Sequence, residues 1–472
     1  MMRLLLAFAL CALHAAPAHA GDKSKPAGQK RPNVLILYSD DQRFDTIGAL
    51  GNKVIKTPNL DRLVKRGFAF THNFVTVPVC TPSRAELLTG RVAFRNGVRF
   101  FNQKIHPDLP LLSHVLARAG YLTWFTGKWH NDGTPDRHGF QVVRRVFVGG
   151  MGKHEKTFIE PGGKVSGFSS QLFADAAIDQ IKTKQDRQWF MLVAFTAPHD
   201  PRTPPGKYAT LYDPAKIPLP ANYLPEHPFD NGAMTIRDEL LEAWPRTPDA
   251  VRRHLAEYYG MISHLDEQVG RILEALERSG QLENTIIIFL GDNGLAIGSH
   301  GLMGKQNLYD HSVRVPLILS GPGIPKGKQS SALCYSYDLL PTLCELTGVA
   351  PPKVLDGKSL VPILTGKERA VREYVCSAYQ DVQRMVRTER WKLIHYPKIN
   401  RTQLFDLKND PHEMTDLLVP WRLQGTKQYT PPLAVAEARR LVQDLTGRLT
   451  TWQQAVGDSL RLEIAPPAVK AP

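Results

Sequence analysis

The chain has 472 residues, 42% hydrophobic and 22% charged, with 36 glycines and 36 prolines. That apolar content excludes a disordered protein, and the length suits one large domain with a smaller one attached. The net charge of +14 suits an anionic partner. Its basic residues are spread along the chain and not gathered in runs, which argues against nucleic acid.

Met1–Ala20 (MMRLLLAFALCALHAAPAHA) carries Arg3, an apolar run from Leu4, and Ala18-His19-Ala20 as a small-x-small cleavage site. This is the pattern of a secretory signal peptide cut after Ala20. The run is short and broken by His14, and no later segment has the roughly 18 consecutive apolar residues of a spanning helix. An exported protein, periplasmic or extracellular and without stable membrane insertion, is expected. Gly21–Arg31 is polar and Lys-rich, a linker.

Asn33–Tyr38 (NVLILY) is nearly all apolar, as a central parallel strand requires. Pro58–Gly67 reads as a helix with Thr57 as cap and Pro58 at its first position. Leu111–Gly120 repeats the helical pattern and feeds a strand at Tyr121–Thr126. Trp189–Thr196 is another buried strand. Pro198–Pro228 holds nine prolines in 31 residues and is either a surface excursion or the rim of a pocket. Val251–Gly280 is a long amphipathic helix with Leu255, Ile262, Leu265, Val269, Ile272 and Leu276 on one face. Strands at Thr285–Leu290 and Val315–Leu319 follow. Strands alternating with helices predict an α/β fold: a mostly parallel central sheet flanked by helices, over residues 32–368. From about residue 369 to 460, short strands (Tyr374–Ala378, Arg384–Arg387, Trp391–His395, Leu404–Asp406) and a helix from Ala434 predict a smaller C-terminal α+β domain. Residues 461–472 read as a disordered tail. Setting Cys11 aside with the signal peptide leaves Cys80, Cys334, Cys344 and Cys376. They are too few for a disulfide framework, though one bridge among the last three is open. Cys334 and Cys344 lie on a helix-like stretch.

Two clusters directly follow strands: Asp40-Asp41 and Asp292-Asn293. In an open α/β sheet, ligands bind outside the carboxyl ends of strands, so both clusters face one crevice if the strands are neighbours. Three carboxylates and an amide oxygen there call for a cation, and an all-oxygen set favours Ca²⁺ or Mg²⁺ over Zn²⁺. Helix caps or turns are the bland alternative. A third cluster is Cys80-Thr81-Pro82-Ser83-Arg84. Pro82 starts a helix, Cys80 lies at its N-terminal mouth where an anion is favoured, and Arg84 is one turn on.

CTPSRAELLTGR, from Cys80 to Arg91, matches the Cys-x-Pro-x-Arg signature of the formylglycine-dependent sulfatases of the alkaline phosphatase superfamily. RPNVLILYSDDQRFDTIG, TGKWH, APHDP, GDNG, GSHGLMGKQNLYDHSVRVPLIL and LFDLKNDPHEM resemble the family's other motifs, in order, from about Arg31 to Leu418. The resemblance implies an alkaline-phosphatase-like fold and a sulfuric ester hydrolase acting on a sulfate monoester, with a sulfated carbohydrate preferred. A phosphonate monoester or phosphodiester hydrolase on the same scaffold is the alternative. It implies that Asp40, Asp41, Asp292 and Asn293, together with position 80, hold a divalent cation, Ca²⁺ before Mg²⁺. It also implies that a separate maturation enzyme oxidises Cys80 to formylglycine, whose hydrated aldehyde attacks sulfur. Arg84, Lys128, His130, His199 and Lys305 then hold the sulfate and move protons. Arg84 and Lys128 neutralise charge, Asp292 takes the nucleophile's proton, His199 or Lys305 protonates the departing oxygen, and His130 is a base. His300, His311, Arg384, Arg387 and His395 are pocket residues or ordinary packing, and Asn400-Arg401-Thr402 fits a glycosylation acceptor.

Overall fold

The computed structural model describes residues 31–418 and 433–465. The signal peptide, nearly all of the linker and the tail beyond residue 465 lie outside them. The strands are β1 (Asn33–Ser39), β2 (Gly67–Phe74), β3 (Leu122–Lys128), β4 (Val142–Phe147), β5 (Glu155–Glu160), β6 (Gly163–Phe168), β7 (Trp189–Ala194), β8 (Thr285–Gly291), β9 (Arg314–Ser320), β10 (Lys328–Ser330) and β11 (Cys334–Tyr335). A C-terminal set follows: β12 (Val375–Tyr379), β13 (Gln383–Arg387), β14 (Trp391–Tyr396) and β15 (Arg401–Asp406).

Nine strands form the main sheet in the order β10-β2-β9-β8-β1-β7-β3-β4, with β11 also on β2. Every pairing is parallel except those of β9, which runs against β2 and β8. The mostly parallel α/β architecture expected from the alternation of strands and helices is therefore present. β1 shows why both faces are covered. Val34, Ile36 and Tyr38 belong to one apolar cluster, while Leu35 and Leu37 belong to the other. A strand with both faces buried has no polar side to alternate, so it reads as a continuous apolar run. The Pro248–Arg278 helix packs Leu265, Val269, Ile272 and Leu276 on one face, and the Leu112–Arg118 and Leu339–Thr347 helices cover the other.

β12 to β15 form a separate antiparallel sheet. The Val435–Val456 helix lays Val442, Leu445 and Leu449 on its Cys376, Val386, Leu393 and Leu404. Leu462 and Ile464 touch the same cluster, so packed chain continues past residue 460. No helix among the described residues is long and apolar enough to cross a membrane.

Several local expectations are corrected. The Pro58–Arg66 helix has no side-chain cap: Thr57 Oγ1 instead accepts from the Gly48 N–H at 2.9 Å and donates to Asp61 at 3.1 Å. Cys80, Cys334, Cys344 and Cys376 are all buried free thiols, so no bridge joins the last three. They are spread over β11, the Leu339–Thr347 helix and β12, and Cys334 is on a strand paired with Asn73 in place of the helix-like stretch. Pro198–Pro228 is neither purely rim nor purely surface. It begins beside the clusters after β1 and β8, and its Tyr208, Tyr212 and Ile217 bury against the molecule.

Candidate active site

Sheet topology brings the predicted residues together. β1 and β8 are parallel neighbours in register, with Ser39 opposite Gly291, so Asp40-Asp41 and Asp292-Asn293 leave the same edge side by side. β7 flanks β1 and β3 flanks β7, and their carboxyl ends lead into His199 and into Lys128 and His130. β2 ends at that edge as well, and after five residues the Cys80–Thr89 helix begins with Cys80 as its first residue. Lys305 comes from the segment between β8 and β9. One glycine is essential to this delivery. Gly127 lies at a register shift between β3 and β4 with φ of +112°, and a Cβ there would sit 1.9 Å from the Ala194 carbonyl oxygen. Such a bulge re-aims the following side chain, here Lys128.

The cluster is almost wholly buried. Lys128 Nζ is 2.5 Å from Asp40 Oδ2, and Lys305 Nζ is 2.7 and 2.9 Å from the Asp41 oxygens. Arg84 donates to Asp292 Oδ2 from two nitrogens, at 2.8 and 3.1 Å, and to the Lys128 carbonyl at 2.8 Å. Cys80 Sγ lies 3.3 Å from Asp40 Oδ1, 3.8 Å from Asp41 Oδ1 and 3.1 Å from Lys305 Nζ. Three side-chain cations thus meet three carboxylates, so repulsion alone does not demand a metal. Chemistry of the remaining donors supports one. Asn293 Nδ2 donates to Asp41 Oδ1 at 2.7 Å, but Asn293 Oδ1 is buried with no hydrogen-bond partner. An oxygen left so in the interior is costly unless something positive meets it. Ligand atoms of Asp40, Asp41, Cys80 and His199 also lie within 4.8 Å of one another. The set is compatible with a cation. Asp292 is placed differently: Oδ1 accepts from the Asp41 and Asn293 N–H groups, both at 2.9 Å, and Oδ2 serves Arg84.

Electrostatics divides the groups. Burial, then the Asp292 and Asp41 carboxylates, push Asp40 up to about 8 against the pull of Lys128 and Arg84. Burial acts on Asp292 too, but Arg84, Lys128 and Lys305 overcome it and hold that carboxyl below its usual range. Burial and Asp40 keep the Cys80 thiol well above its ordinary value, so it is no thiolate. For Lys305, burial is outweighed by Asp41, and the ammonium is retained. His199 is held down at about 4 by burial, with Lys305 and Lys128 adding to it against the opposing Asp41 and Asp200. Its Nδ1 is 2.8 Å from the Asp200 carbonyl, which only accepts. Nδ1 therefore carries the hydrogen and Nε2, 3.6 Å from Asp41 Oδ2, is the free base. His130 falls to about 2 through burial, Lys128, Arg84 and Lys305. It stacks on Phe101 at 5.6 Å, and its Nδ1 has no partner. Asp41 and His130 both have positive φ, +63° and +48°, a local strain held by their surroundings. Tyr258, on the long helix, donates to the Asp41 carbonyl at 2.6 Å and helps to hold it.

Other predicted residues lie elsewhere. His300 stacks on Tyr309 at 3.8 Å and bonds the Glu413 carbonyl, and His311 is buried with neither ring nitrogen partnered. Arg387 is 3.5 Å from Asp310, and His395 bonds Thr402. Arg384 pairs with Asp458 at 2.7 Å. Asn400 is exposed between β14 and β15. Sequence reasoning missed Phe101 and Tyr258, whose only signal was aromatic character.

A buried thiol at a helix N-terminus, ringed by carboxylates and cations at the edge of an alkaline-phosphatase-like sheet, defines a hydrolase of anionic esters. Residues 32–349 match the family described as Sulfatase, and residues 298–428 match N-sulphoglucosamine sulphohydrolase, C-terminal. The chain belongs to the sulfatase family, as a type I sulfatase of the alkaline phosphatase superfamily, and is a sulfuric ester hydrolase. It is 31% identical to the choline-sulfatase of Rhizobium meliloti over 82% of each chain. It is 27% identical to the N-acetylglucosamine-6-O-sulfatase of Bacteroides thetaiotaomicron, over 82% of this chain and 83% of that one. The fold is similar to that of a protein solved with its substrate D-glucosamine-2-N,6-O-disulfate (TM-score 0.77, 24% identity, 91% of this chain and 99% of that one). It is also similar to the phosphonate monoester hydrolase of Agrobacterium radiobacter (TM-score 0.76, 24% identity, 94% and 100%).

Proposed function

We propose that this sulfatase is exported through Met1–Ala20 and releases inorganic sulfate from a sulfated carbohydrate, with position 80 as the nucleophile. One observation carries the reading: Cys80 Sγ sits at the first residue of a helix, between Asp40 at 3.3 Å and the Lys305 ammonium at 3.1 Å. A thiol held protonated is a poor nucleophile, which favours conversion of the residue. Oxidised to formylglycine by a maturation enzyme, position 80 would supply a hydrated aldehyde as nucleophile, and a divalent cation, Ca²⁺ in preference, would be held by Asp40, Asp41, Asp292 and Asn293 together with position 80 and would supply Lewis acidity.

The chain's own residues perform the rest. The helix N-terminus, Arg84, Lys128 and Lys305 offer fixed positive charge to the sulfate oxygens in a site that excludes water. Asp40 is the carboxyl group hydrogen-bonded at position 80, whereas Asp292 is held by Arg84 and two backbone amides. Lys305 arrives with a proton for the departing ester oxygen, whereas His199, neutral with Nε2 free, must first take one up. His130, kept neutral by burial and then by its cationic neighbours, is the second base. The net positive charge and the choice of partner agree, since a sulfated saccharide is an anion.

The test is sulfate release by enzyme matured in the presence of a formylglycine-generating partner. Sulfated mono- and disaccharides, choline sulfate, an aryl sulfate and a phosphonate monoester are compared. The highest kcat/KM is expected on a saccharide sulfate. Faster turnover of the phosphonate ester would move the assignment to the alternative chemistry.

A further inference from the structure

A cleft of about 280 Å³ lies between the chain that follows the Cys80–Thr89 helix and the turn between β12 and β13, and the reaction described above makes no use of it. Phe94, Arg99, Phe100 and Gln103 form one side, Gln380 and Arg384 the other. Two features tie it to the reaction centre. Val77, three residues before Cys80, lines it, and neighbouring Thr76 accepts the Ala378 N–H at 2.8 Å, joining the two walls. Phe100 meets Phe101 with ring centroids 4.6 Å apart, and Phe101 is the ring stacked on His130.

Its charges are unevenly answered. The guanidiniums of Arg99 and Arg384 each lie 5.8 Å from the centre of the Phe94 ring. Arg384 is neutralised by Asp458, through contacts of 2.7 and 3.0 Å. Arg99 is exposed and forms no ion pair with any described residue. Gln103 Oε1 accepts the Arg99 and Phe100 N–H groups at 2.7 and 3.1 Å, so the backbone carrying Arg99 is braced while its charge is left over. An aromatic face, amide groups and an unspent guanidinium suit a sugar ring bearing an anion. The ring's C–H face packs on Phe94 or Phe100, and the planar guanidinium takes a carboxylate or sulfate through paired hydrogen bonds.

We propose that this cleft is a saccharide subsite in which Arg99 reads a second anionic group, on the sugar next to the one whose ester is cleaved. The proposal deepens, and rests on, the reading of the substrate as a sulfated carbohydrate. It makes the preferred substrate at least dianionic. Carboxylate and sulfate share the chemistry Arg99 recognises, and the ligands below separate them.

Protein carrying Cys80→Ala, which binds without turnover, is titrated calorimetrically with three disaccharides. One bears a single sulfate and a neutral neighbour, one a sulfate and a neighbouring uronate, and one two sulfates. Adding Arg99→Ala, or Arg99→Gln to keep side-chain length, is expected to cut the preference for dianionic over monosulfated ligand by about tenfold, about one hydrogen-bonded charge contact. The dianionic ligand that loses more identifies the group read. Lys184→Ala, which removes an exposed charge just before β7 at the opposite edge of the sheet, should leave that preference within about twofold, because solvent and salt screen so distant a charge. An unchanged preference in both Arg99 variants, or no binding of any ligand, overturns the subsite. The broader reading fails separately: matured enzyme without the Cys80→Ala change would release no sulfate from any saccharide even though these ligands bind.

Discussion

Two of the regions in which opposite charges are buried in contact are each a cluster of several ions, and only one of the two has the makings of a reaction centre. At the carboxyl edge of the large sheet, Asp40, Asp41 and Asp292 meet Lys128, Lys305 and Arg84. Where the small sheet joins the large one, Lys392 on β14 lies 2.8 Å from Asp310 and 2.5 Å from Glu413, with Arg387 and Arg314 at 3.5 and 3.7 Å from Asp310. Burial and approximate charge balance are common to both, so neither property marks function by itself. Both also keep buried polar atoms without a hydrogen-bond partner, so the difference lies in the chemistry of what remains after the ions have paired. The first region keeps a thiol among its charges, a buried Asn293 oxygen without a donor, and a neutral imidazole with Nε2 free. In the second, Asp310 donates its N–H to Glu413 at 2.7 Å and one ammonium serves both carboxylates, an ionic clamp between two sheets.

The sharpest contrast comes from removing one group in each region. Cys80→Ala is expected to lower kcat/KM by at least about 10³-fold while the melting temperature holds, since a nucleophile is lost and little packing changes. Lys392→Met should do the reverse: about 3–5 kcal/mol of stability lost in denaturant titration, with kcat of the folded fraction retained, because two buried carboxylates lose their cation. A Lys392→Met enzyme that is inactive yet as stable as the parent would break the comparison.

A smaller effect probes the ion. Excess Ca²⁺, at about a hundred times its dissociation constant, should stabilise the metal-stripped protein by about 2.7 kcal/mol. Asn293→Leu should lose most of that gain, and chelation should lower activity in parallel. Equal stabilisation of parent and Asn293→Leu would remove Asn293 from the ligand set.

The smallest effect near neutrality is acid sensitivity away from the reaction centre. His264, packed against Phe168 and Tyr208, is held down at about 4 by burial, and His227 likewise. Their folded values lie below the ordinary 6.5, so the unfolded chain binds more protons as pH falls. Their contribution is complete above pH 6.5 and is lost on going down to about 4. His264→Gln should flatten the fall in melting temperature across that window, and an unaltered slope would count against the burial of its imidazole.

Much of the catalytic edge was legible from the chain alone because it depends on local order. An apolar run followed by Asp-Asp, and another followed by Asp-Asn, become neighbours as soon as β1 and β8 pair in register. Non-local features escaped. The antiparallel direction of β9, the clamp at Lys392 and the cleft at Arg99 depend on how distant segments dock, which no periodicity records. Thr57 shows a further limit: its hydroxyl had two competing uses, and the neighbouring loop took the one that capping would have needed. The spacing Cys80-x-Pro-x-Arg84 marked the helix start at Cys80, but the Phe101–His130 stack, close to the Lys128 and Arg84 charges, looks, in sequence, like any aromatic.

The account rests on the chemical state of position 80. Digestion and mass spectrometry of enzyme that is releasing sulfate should find the peptide containing residue 80 lighter by about 18 Da than its cysteine form, as a thiol converted to an aldehyde requires. Full activity from protein whose peptide retains the mass of unmodified cysteine would contradict it.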